Sequence, residues 1–355
     1  MPVTWLIMII SIICVIICLI LLLGKKLCDM ATKTEVTQKY SNLIFTSEQK
    51  VDMEKTNNEA TKWLEENAKE VEIISKDGLR LKGYEIKARE KSNIWVITVH
   101  GYMSKGSDMV KYAQKFNSFG YNALIIDLRA HGKSEGEYMG MGWLDHYDLE
   151  IWIDKIVHEN ENPKIVLYGI SMGAATVSMA TGDDLPKEVK VCIADCGYSS
   201  VWEEFKVHLN KIFHIPPFPL LYTASLMSKI YLGYSFKEAS TIKQVKKSVT
   251  PTLFIHGTKD KFVPFFMFNE IYKNANCKKQ KLEIEGAGHG ESSDKNPEKY
   301  WKTIQNFIYK YIRWNAYKER RIKNDTKYRN ICAFIYNIFY NGMADGGCIR
   351  INTTP

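Results

Sequence analysis

The most informative residues of this chain form the pentapeptide Gly169-Ile170-Ser171-Met172-Gly173. A short apolar run, 164–168, precedes it, and a run of small, helix-compatible residues, 174–180, follows it. Strand, tight turn and helix in this order are the context in which G-x-S-x-G marks a nucleophilic serine. Gly169 and Gly173 remove the Cβ atoms that would clash at such a sharp turn. The pattern therefore predicts that the Oγ atom of Ser171 projects from the end of a sheet.

A second copy of the same pattern is Gly132-Lys133-Ser134-Glu135-Gly136. Its surroundings are polar and glycine-rich, with no strand leading directly into it and no apolar helix after it. We therefore interpret this copy as a loop and Ser134 as a turn residue, not as a nucleophile. The flanking sequence selects Ser171, because the pentapeptide alone does not distinguish the two.

A serine hydroxyl is a weak nucleophile at neutral pH, so it requires a general base and a third group that orients the base. Asp260 and His289 follow Ser171 in the chain, and each lies in the loop after a candidate strand. Side chains at the carboxyl ends of parallel strands converge above one sheet, so we predict a triad of Ser171, His289 and Asp260. Asp195, at the end of another candidate strand, is the alternative acid.

The oxyanion that forms during acyl transfer needs two positioned N–H donors. The backbone N–H of Met172 is the first candidate, because this residue follows the nucleophile at the start of a helix. The second is the N–H of Tyr102, in the loop after the candidate strand 94–99. Gly101 in the same loop allows the backbone to approach the site closely.

Short apolar runs alternate with longer helical stretches through most of the chain, after a hairpin at 71–86 with an Asp77-Gly78 turn. The candidate strands are 94–99, 123–127, 165–168, 189–194, 252–255 and 281–284. The candidate helices are 108–119, 144–158, 172–181, 265–274 and 297–312. This alternation predicts an α/β fold with a mostly parallel sheet and helices on both faces.

An aromatic-rich insertion, 198–248, interrupts this alternation between two candidate strands. A connection of this length usually has a function, and we interpret it as a mostly helical cap over the strand ends. Most of its aromatic side chains are expected to hold the cap to the core, and one or two to line a pocket. Such a pocket favours an apolar acyl or aryl substrate.

The N-terminal run 5–23 contains no charged residue and is long enough to cross about 30 Å of hydrocarbon as a helix. A cleaved signal peptide is the alternative, but no basic residue precedes the run and no small-residue cleavage site succeeds it. We therefore predict a single-pass anchor. Lys25 and Lys26 favour a cytoplasmic position for the large domain. Residues 28–68 are polar and helix-compatible, and we interpret them as a stalk or leading helix.

The composition, with 25% charged and 45% hydrophobic residues, is typical of a folded protein, and 355 residues are enough for one large domain with additions. Part of the net charge of +8 comes from a basic tail, 315–355, which favours contact with a membrane surface over nucleic acid. No nucleic-acid motif is present. The eight cysteines lack the spacing of a metal site or of a disulfide framework. We expect no metal and no organic cofactor.

Five ordered motifs resemble the α/β-hydrolase family, specifically its membrane-anchored bacterial-type serine hydrolases of the serine aminopeptidase-like and acyl-hydrolase branches. They are Val99-His100-Gly101-Tyr102, the loop from Asp127 to Gly136, the Ser171 turn, His256-Gly257-Thr258-Lys259-Asp260 with Val263-Pro264, and Gly288-His289. The resemblance covers about 70–313. It implies the α/β-hydrolase fold with a cap, and a scaffold role for Arg129 and His131. The tail has no counterpart in the family.

These observations favour a membrane-anchored serine hydrolase that cleaves apolar acyl or aryl esters through an acyl-enzyme. Its partners would be a small-molecule or lipid-like acyl substrate and the membrane. A peptidase, an aminopeptidase-like enzyme or an acyltransferase on the same fold are alternatives. A catalytically idle, membrane-tethered binding module is an alternative of another class, although the intact set of triad residues argues against it.

Overall fold

The computed structural model describes residues 3–40 and 59–312. The predicted tail at 315–355 and residues 41–58 of the predicted stalk lie outside them. The chain divides into two units, Met1–Phe307 and Ile308–Pro355. Of the second unit the structure describes only 308–312, the end of a helix that begins at 297. The sheet and the candidate site belong to the first unit.

A single sheet of eight strands, in the order β1-β2-β4-β3-β5-β6-β7-β8, forms the centre of the described region. The strands are β1 Lys69–Ile74, β2 Arg80–Ile86, β3 Ile94–Val99, β4 Asn122–Ile126, β5 Lys164–Ile170, β6 Val189–Asp195, β7 Thr252–Gly257 and β8 Lys279–Ile284. β2 pairs antiparallel with β1 and β4, and all other pairs are parallel. The predicted α/β class with a mostly parallel sheet is confirmed.

Helices connect and flank these strands. They are α1 Val3–Thr32, α2 Thr34–Lys39, α3 59–67, α4 Val110–Ser118, α5 Trp143–Glu159, α6 Met172–Ala180, α7 Val201–Phe213, α8 Leu220–Leu232, α9 Thr241–Val245, α10 Phe265–Asn274, α11 Ser292–Lys295 and α12 297–312. Strands β3 to β7 are buried along almost their whole length, as expected for parallel strands covered by helices.

The strand order explains where a site can form. From β3 the chain passes to β4 on one side and later to β5 on the other side. In open α/β sheets such a reversal leaves a crevice beyond the carboxyl ends of the two strands. The loop after β3 and the Ser171 turn after β5 therefore meet at this point.

The insertion predicted as a cap contains α7, α8 and α9. The start of α7 is fixed by Ser200, whose hydroxyl accepts a hydrogen bond from the N–H of Glu203 at 3.1 Å. This is an ordinary N-cap, which satisfies one donor of the first turn. Phe205 of α7 packs edge-to-face on Phe236, with ring centroids 4.8 Å apart.

Helix α1 is continuous from Val3 through Thr32, and it is long and apolar enough to cross a membrane by length and composition. Its first part is exposed, whereas Gly24, Cys28 and Thr32 are buried. These three residues recur every four positions and so lie on one face of the helix. Helix α1 packs on α8, and Gly24 lies directly against Thr223 of that helix.

Residues 28–39, the first part of the predicted stalk, lie against the domain. The Thr34 hydroxyl donates to the carbonyl of Ala130 at 2.9 Å, and Lys33 forms a β-bridge with Tyr138. The Tyr102 hydroxyl donates to the carbonyl of Ala31 at 2.8 Å. This part of the predicted stalk or leading helix therefore contacts the domain through long-range hydrogen bonds, which leave no signal in the local sequence pattern.

Candidate active site

Ser171 occupies a strained turn between β5 and α6. Its backbone has φ of 56° and ψ of −118°, a conformation that is uncommon for a residue with a side chain. Its N–H donates to the carbonyl of Asp195 at 2.9 Å, which ties the turn to the end of β6. A Cβ atom on Gly169 would lie 2.2 Å from the carbonyl oxygen of Gly173, and one on Gly173 would lie 2.1 Å from that of Val99. Both glycines are therefore required by close backbone packing.

His289 connects the serine to a carboxylate. Its Nε2 lies 2.8 Å from Ser171 Oγ, and its Nδ1 lies 2.8 Å from Asp260 Oδ2. A carboxylate only accepts hydrogen bonds, so Nδ1 carries the proton in the neutral ring and Nε2 is free to accept from the serine hydroxyl. The structure thus brings together the three residues that the sequence predicted as a triad.

Asp195, the alternative acid, has other partners. Its carboxylate accepts hydrogen bonds from the hydroxyl of Tyr300 at 2.8 Å and from the hydroxyl of Ser292 at 3.1 Å. Its side chain therefore anchors the segment after His289, while its backbone carbonyl holds the nucleophile turn.

Asp260 is buried and held by four groups. Its Oδ1 accepts the N–H groups of Phe262 and Val263 at 2.8 and 2.9 Å. Its Oδ2 accepts from His289 and lies 3.3 Å from His256 Nε2. Burial favours the neutral acid, but hydrogen bonds from His256 and His289 lower the pKa of Asp260 to about 2. The carboxylate is therefore ionised at neutral pH and can stabilise a charged imidazole.

The pKa of His289 is set by opposing effects. Burial alone lowers it, whereas the adjacent Cys196 and the hydrogen bond to Asp260 raise it, and the pKa lies well above its ordinary value. The protonated form is the one that appears when a serine gives up its proton. The surroundings of this ring therefore favour the charge state that acyl transfer must create.

The loop after β3 passes directly beside the nucleophile. A Cβ atom on Gly101 would lie 3.3 Å from Ser171 Cβ, so the backbone of this loop approaches the serine closely. His100 fixes the loop: its Nε2 accepts the N–H of Leu128 at 3.0 Å, which leaves Nδ1 to donate to the carbonyl of Gly101 at 2.8 Å. Burial lowers the pKa of His100 to about 4, so the ring stays neutral in this role.

The two predicted oxyanion donors belong to this crevice. Met172 is the first residue of α6, and the N–H groups of a helix's first turn have no acceptor within the helix. Tyr102 follows Gly101, and its side chain lines the same pocket as Ser171. The oxyanion role of their N–H groups stays a prediction.

A pocket extends from Ser171 between the cap and the N-terminal helix. It holds about 950 Å³ of empty space, part of it open to solvent. Most of its wall is apolar. The cap contributes Tyr198, Phe205, Leu209, Ile212, Phe213, Leu221 and Phe236, and the N-terminal segment contributes Leu27, Met30, Ala31 and Tyr40. The continuation of the apolar helix is therefore part of the site.

Two polar side chains interrupt this apolar wall. Glu204 of α7 is buried, and its Oε1 accepts from His208 Nε2 at 2.9 Å. No protein group in the described ranges bonds its Oε2. Burial raises the pKa of Glu204, although His208 opposes the rise. His208 packs on Phe262 with a centroid distance of 4.4 Å, and Phe262 packs on His289 at 4.8 Å.

Sequence reasoning assigned no site role to His256, Glu204 or residues 27–31. His256 lies in β7, four residues before Asp260, and that spacing is a usable signal. Glu204 lies within an aromatic-rich helix, where a single acidic residue is unremarkable. Residues 27–31 reach the pocket only because α1 continues past the apolar run and packs on α8, a contact between distant parts of the chain.

Among residues 3–40 and 59–312, two groups of side chains bring potential metal-ligand atoms within 4.8 Å of one another. One is Cys196 with Asp260 and His289, and the other is His146 with Glu150 and Asp183. In the first, the nearest nitrogen and oxygen already bond to each other. In the second, His146 Nε2 lies 3.1 Å from Asp183 Oδ2, an ordinary ion-pair distance.

Comparison with protein families gives a match at 90–238 to the Hydrolase_4 model, described as serine aminopeptidase, S33. A Bacillus subtilis protein, the uncharacterized protein YqkD, is 30% identical over 237 residues, which cover 66% of this chain and 77% of that protein. The uncharacterized membrane protein YNL320W of Saccharomyces cerevisiae is 24% identical over 66% of this chain and 78% of its own length.

Solved structures share the fold. The Pyrococcus furiosus esterase Pf2001 superposes with a TM-score of 0.55 at 24% identity, over 69% of this chain and 93% of the esterase. The acylaminoacyl peptidase of Pyrococcus horikoshii superposes with a TM-score of 0.53 at 19% identity, over 69% of this chain and 41% of the peptidase. Two proteins named for different activities therefore each share the fold over 69% of this chain.

Proposed function

The chain belongs to the α/β-hydrolase family, and from that premise we propose that it is a membrane-anchored serine hydrolase that cleaves carboxylic esters with apolar acyl groups. The observation that carries this proposal is the continuous set of hydrogen bonds from Ser171 Oγ through His289 to Asp260, with both distances at 2.8 Å. A hydroxyl, a base and an orienting carboxylate in this geometry are the parts that nucleophilic acyl transfer requires.

The proposed reaction has two steps that use the same residues. His289 Nε2 takes the proton of Ser171 as Oγ attacks the ester carbonyl, and then gives it to the departing alcohol. The result is an acyl-enzyme. Water next attacks this ester, His289 takes its proton and returns it to Ser171, and the carboxylic acid leaves. Asp260 stays ionised throughout and stabilises the imidazolium.

The N–H groups of Met172 and Tyr102 would bind the negatively charged oxygen in both steps. His100 supports this role because its hydrogen bond to Gly101 fixes the loop that carries Tyr102. The loss of one oxyanion donor costs about 10²–10³ in rate in related chemistry. The supporting observation is the close approach of this loop to Ser171.

The pocket supports an apolar acyl group. Aromatic and aliphatic side chains of α7, α8 and α1 form most of its wall. Transfer of an alkyl chain from water into such a pocket contributes about 0.8 kcal/mol of binding free energy for each buried methylene. Affinity should therefore rise with acyl chain length until the pocket is filled.

Anchoring rests on α1, of which the part before Ile20 is exposed and apolar. An exposed apolar helix of this length is unfavourable in water, whereas it is stable in the hydrocarbon core of a bilayer. A signal sequence passes the same test of length and composition. The packing of the same helix against α8 and its part in the pocket wall favour an uncleaved anchor. Lys25 and Lys26 favour the cytoplasmic side for the domain.

A panel of esters with increasing acyl length tests this function. The full chain in detergent should hydrolyse longer acyl esters with higher kcat/KM than acetyl esters. Ile212→Trp, which fills part of the pocket, should shift the optimum to shorter chains. Asn210→Trp, on the exposed face of the same helix, is the matched control and should leave it unchanged. Undetectable hydrolysis of every ester, with tight binding of one of them, would instead identify a binding module.

Glu204 favours a second candidate, a peptidase. Its unpaired Oε2 offers a buried acceptor to a protonated amino group or a hydroxyl of the substrate. Glu204→Gln should then impair cleavage of amides with a free amino group more than cleavage of acyl esters. If Glu204→Gln impaired cleavage of the amides and of the acyl esters equally, the peptidase proposal would lose its support.

A further inference from the structure

The outer face of cap helix α8 carries an apolar stripe that no described residue covers. Tyr222, Leu226 and Ile230 are 47%, 48% and 62% exposed, and Phe218, just before the helix, is 71% exposed. They follow one another at intervals of four residues, so on α8 they share one side. We call Phe218, Tyr222, Leu226 and Ile230 the α8 stripe. Contiguous exposed apolar side chains of this kind mark an interaction surface.

Helix α8 lies at the level where the apolar part of α1 ends. The uncharged run stops at Leu23, and the next residue, Gly24, packs on Thr223 so closely that a Cβ atom would lie 2.4 Å from its hydroxyl oxygen. One residue later, the Lys25 ammonium lies 4.6 Å from the ring centroid of Tyr231. In a membrane that α1 crosses, α8 therefore lies at the boundary between hydrocarbon and headgroups.

The chemistry of this region suits that boundary. Aromatic rings and lysines are enriched where a bilayer meets water, because each has an apolar body and a polar end. Besides Lys25, the ammonium of Lys237 lies 4.7 Å from the ring centroid of Tyr222. Lysines beside a half-exposed apolar stripe also attract anionic headgroups.

The pocket lies behind this helix. Leu221 of α8 faces the pocket, while Tyr222, the next residue, belongs to the exposed stripe. Leu27, Met30 and Ala31 of α1 form another part of the pocket wall. The pocket is thus bounded by the helix that leaves the membrane and by the helix packed against it.

We propose that the α8 stripe docks into the interface of the membrane that α1 spans, and that the acyl chain of a membrane lipid ester reaches Ser171 from the bilayer along α1 and α8. The inference rests on the proposed function, since it takes α1 as the anchor and Ser171 as the nucleophile. It names a single occupant for the stripe, the bilayer, because α8 packs on α1 at the point where the uncharged run of α1 ends.

Lipid photolabelling tests the docking without any need for turnover. The full-length Ser171→Ala chain is placed in vesicles of phosphatidylcholine and phosphatidylglycerol that contain a phosphatidylcholine with a diazirine on its acyl chain. Adducts are mapped by mass spectrometry. We expect adducts in 218–231 as well as in 5–23. Adducts in 5–23 alone would overturn the docking.

A charged variant makes the test quantitative. Leu226→Glu combined with Ile230→Glu should reduce adducts in 218–231 by about tenfold and leave those in 5–23 unchanged, because charged carboxylates resist insertion into the apolar part of the interface. Val249→Glu is the matched control. Val249 is 86% exposed and precedes β7, at the end of the sheet opposite to Ser171. It should change neither set of adducts.

Activity then tests the route of the substrate. With Ser171 present, the same double variant should hydrolyse a long-chain ester embedded in vesicles about tenfold more slowly, and a soluble short-chain ester at the wild-type rate. Equal rates on the embedded ester would overturn the route. If neither ester is cleaved by the wild-type chain, the proposed function fails, whereas the photolabelling result still decides the docking.

Discussion

Ser171 and Ser134 occupy the same pentapeptide pattern in two regions of one molecule. Ser134 lies in the loop after β4, where its hydroxyl donates to the carbonyl of Asp127 at 2.7 Å and accepts the N–H of Lys82 at 2.8 Å. Ser171 lies in the turn after β5, where its hydroxyl faces His289. Backbone groups therefore occupy the Ser134 hydroxyl as both donor and acceptor, whereas the Ser171 hydroxyl faces a potential base, His289.

The difference arises from what surrounds each serine. Ser134 joins its loop to β2, and an adjacent bond from the N–H of Glu135 to the carbonyl of Arg80 at 2.9 Å strengthens the same junction. Ser171 has a left-handed φ in a turn that only close packing at Gly169 and Gly173 permits. Backbone strain of this kind is typical of functional sites, whereas satisfied turn hydroxyls are typical of scaffolds.

The largest effect should come from removal of the proposed nucleophile. Ser171→Ala should lower kcat by about 10⁶, because the triad acts as a unit and little catalysis survives without the hydroxyl. The measurement is single-turnover and steady-state hydrolysis of the best ester. The substitution removes one oxygen and no packing, so the thermal unfolding midpoint should stay close to wild type. If Ser171→Ala retained wild-type kcat, Ser171 would not be the nucleophile and would not differ in function from Ser134.

A smaller loss should come from Asp260→Asn, which keeps the shape of the side chain. It should lower kcat by about 10⁴, because the amide no longer holds His289 in the required tautomer. The pH profile gives a second readout. His289 must be neutral to accept the serine proton, so the raised pKa places the acid limb of wild type above the ordinary value of about 6.5. In the variant the residual activity should persist to lower pH; an unmoved limb would contradict the assignment of Asp260.

The smallest effect on activity should come from Ser134→Ala. We expect wild-type kcat/KM, together with a loss of about 1–3 kcal/mol in the free energy of unfolding, because the N–H of Lys82 loses its acceptor. Activity assays and thermal unfolding of the same preparation measure both. A loss of activity without a loss of stability would show that the two serines differ less than the geometry indicates.

The sheet could be predicted well from the sequence because its strands are marked by local patterns. The candidate strand 94–99 coincides with β3, and the candidate helix 265–274 coincides with α10. The order of serine, acid and histidine at successive strand ends also predicted which side chains meet. In each case a short apolar run and the loop after it carry the information.

The features that could not be predicted depend on contacts between distant residues. Nothing near Gly24 indicates that it packs on Thr223, and nothing near Met30 indicates that it borders the pocket of Ser171. His256, the second histidine beside the Asp260 carboxylate, is a similar case. The four-residue spacing between His256 and Asp260 is visible in the sequence, but the turn after β7 determines that the two side chains meet. Tertiary packing, not local propensity, decides these features.

A fluorophosphonate probe on the folded full chain tests the proposed triad most directly, because it reacts only with an activated serine. Mass spectrometry of the labelled wild-type chain should locate the adduct on Ser171 and not on Ser134. Ser134→Ala should label as wild type, and Ser171→Ala should not label at either position. An unlabelled Ser171 in the folded wild-type chain, or an adduct on Ser134, would contradict the assignment of Ser171 as the nucleophile.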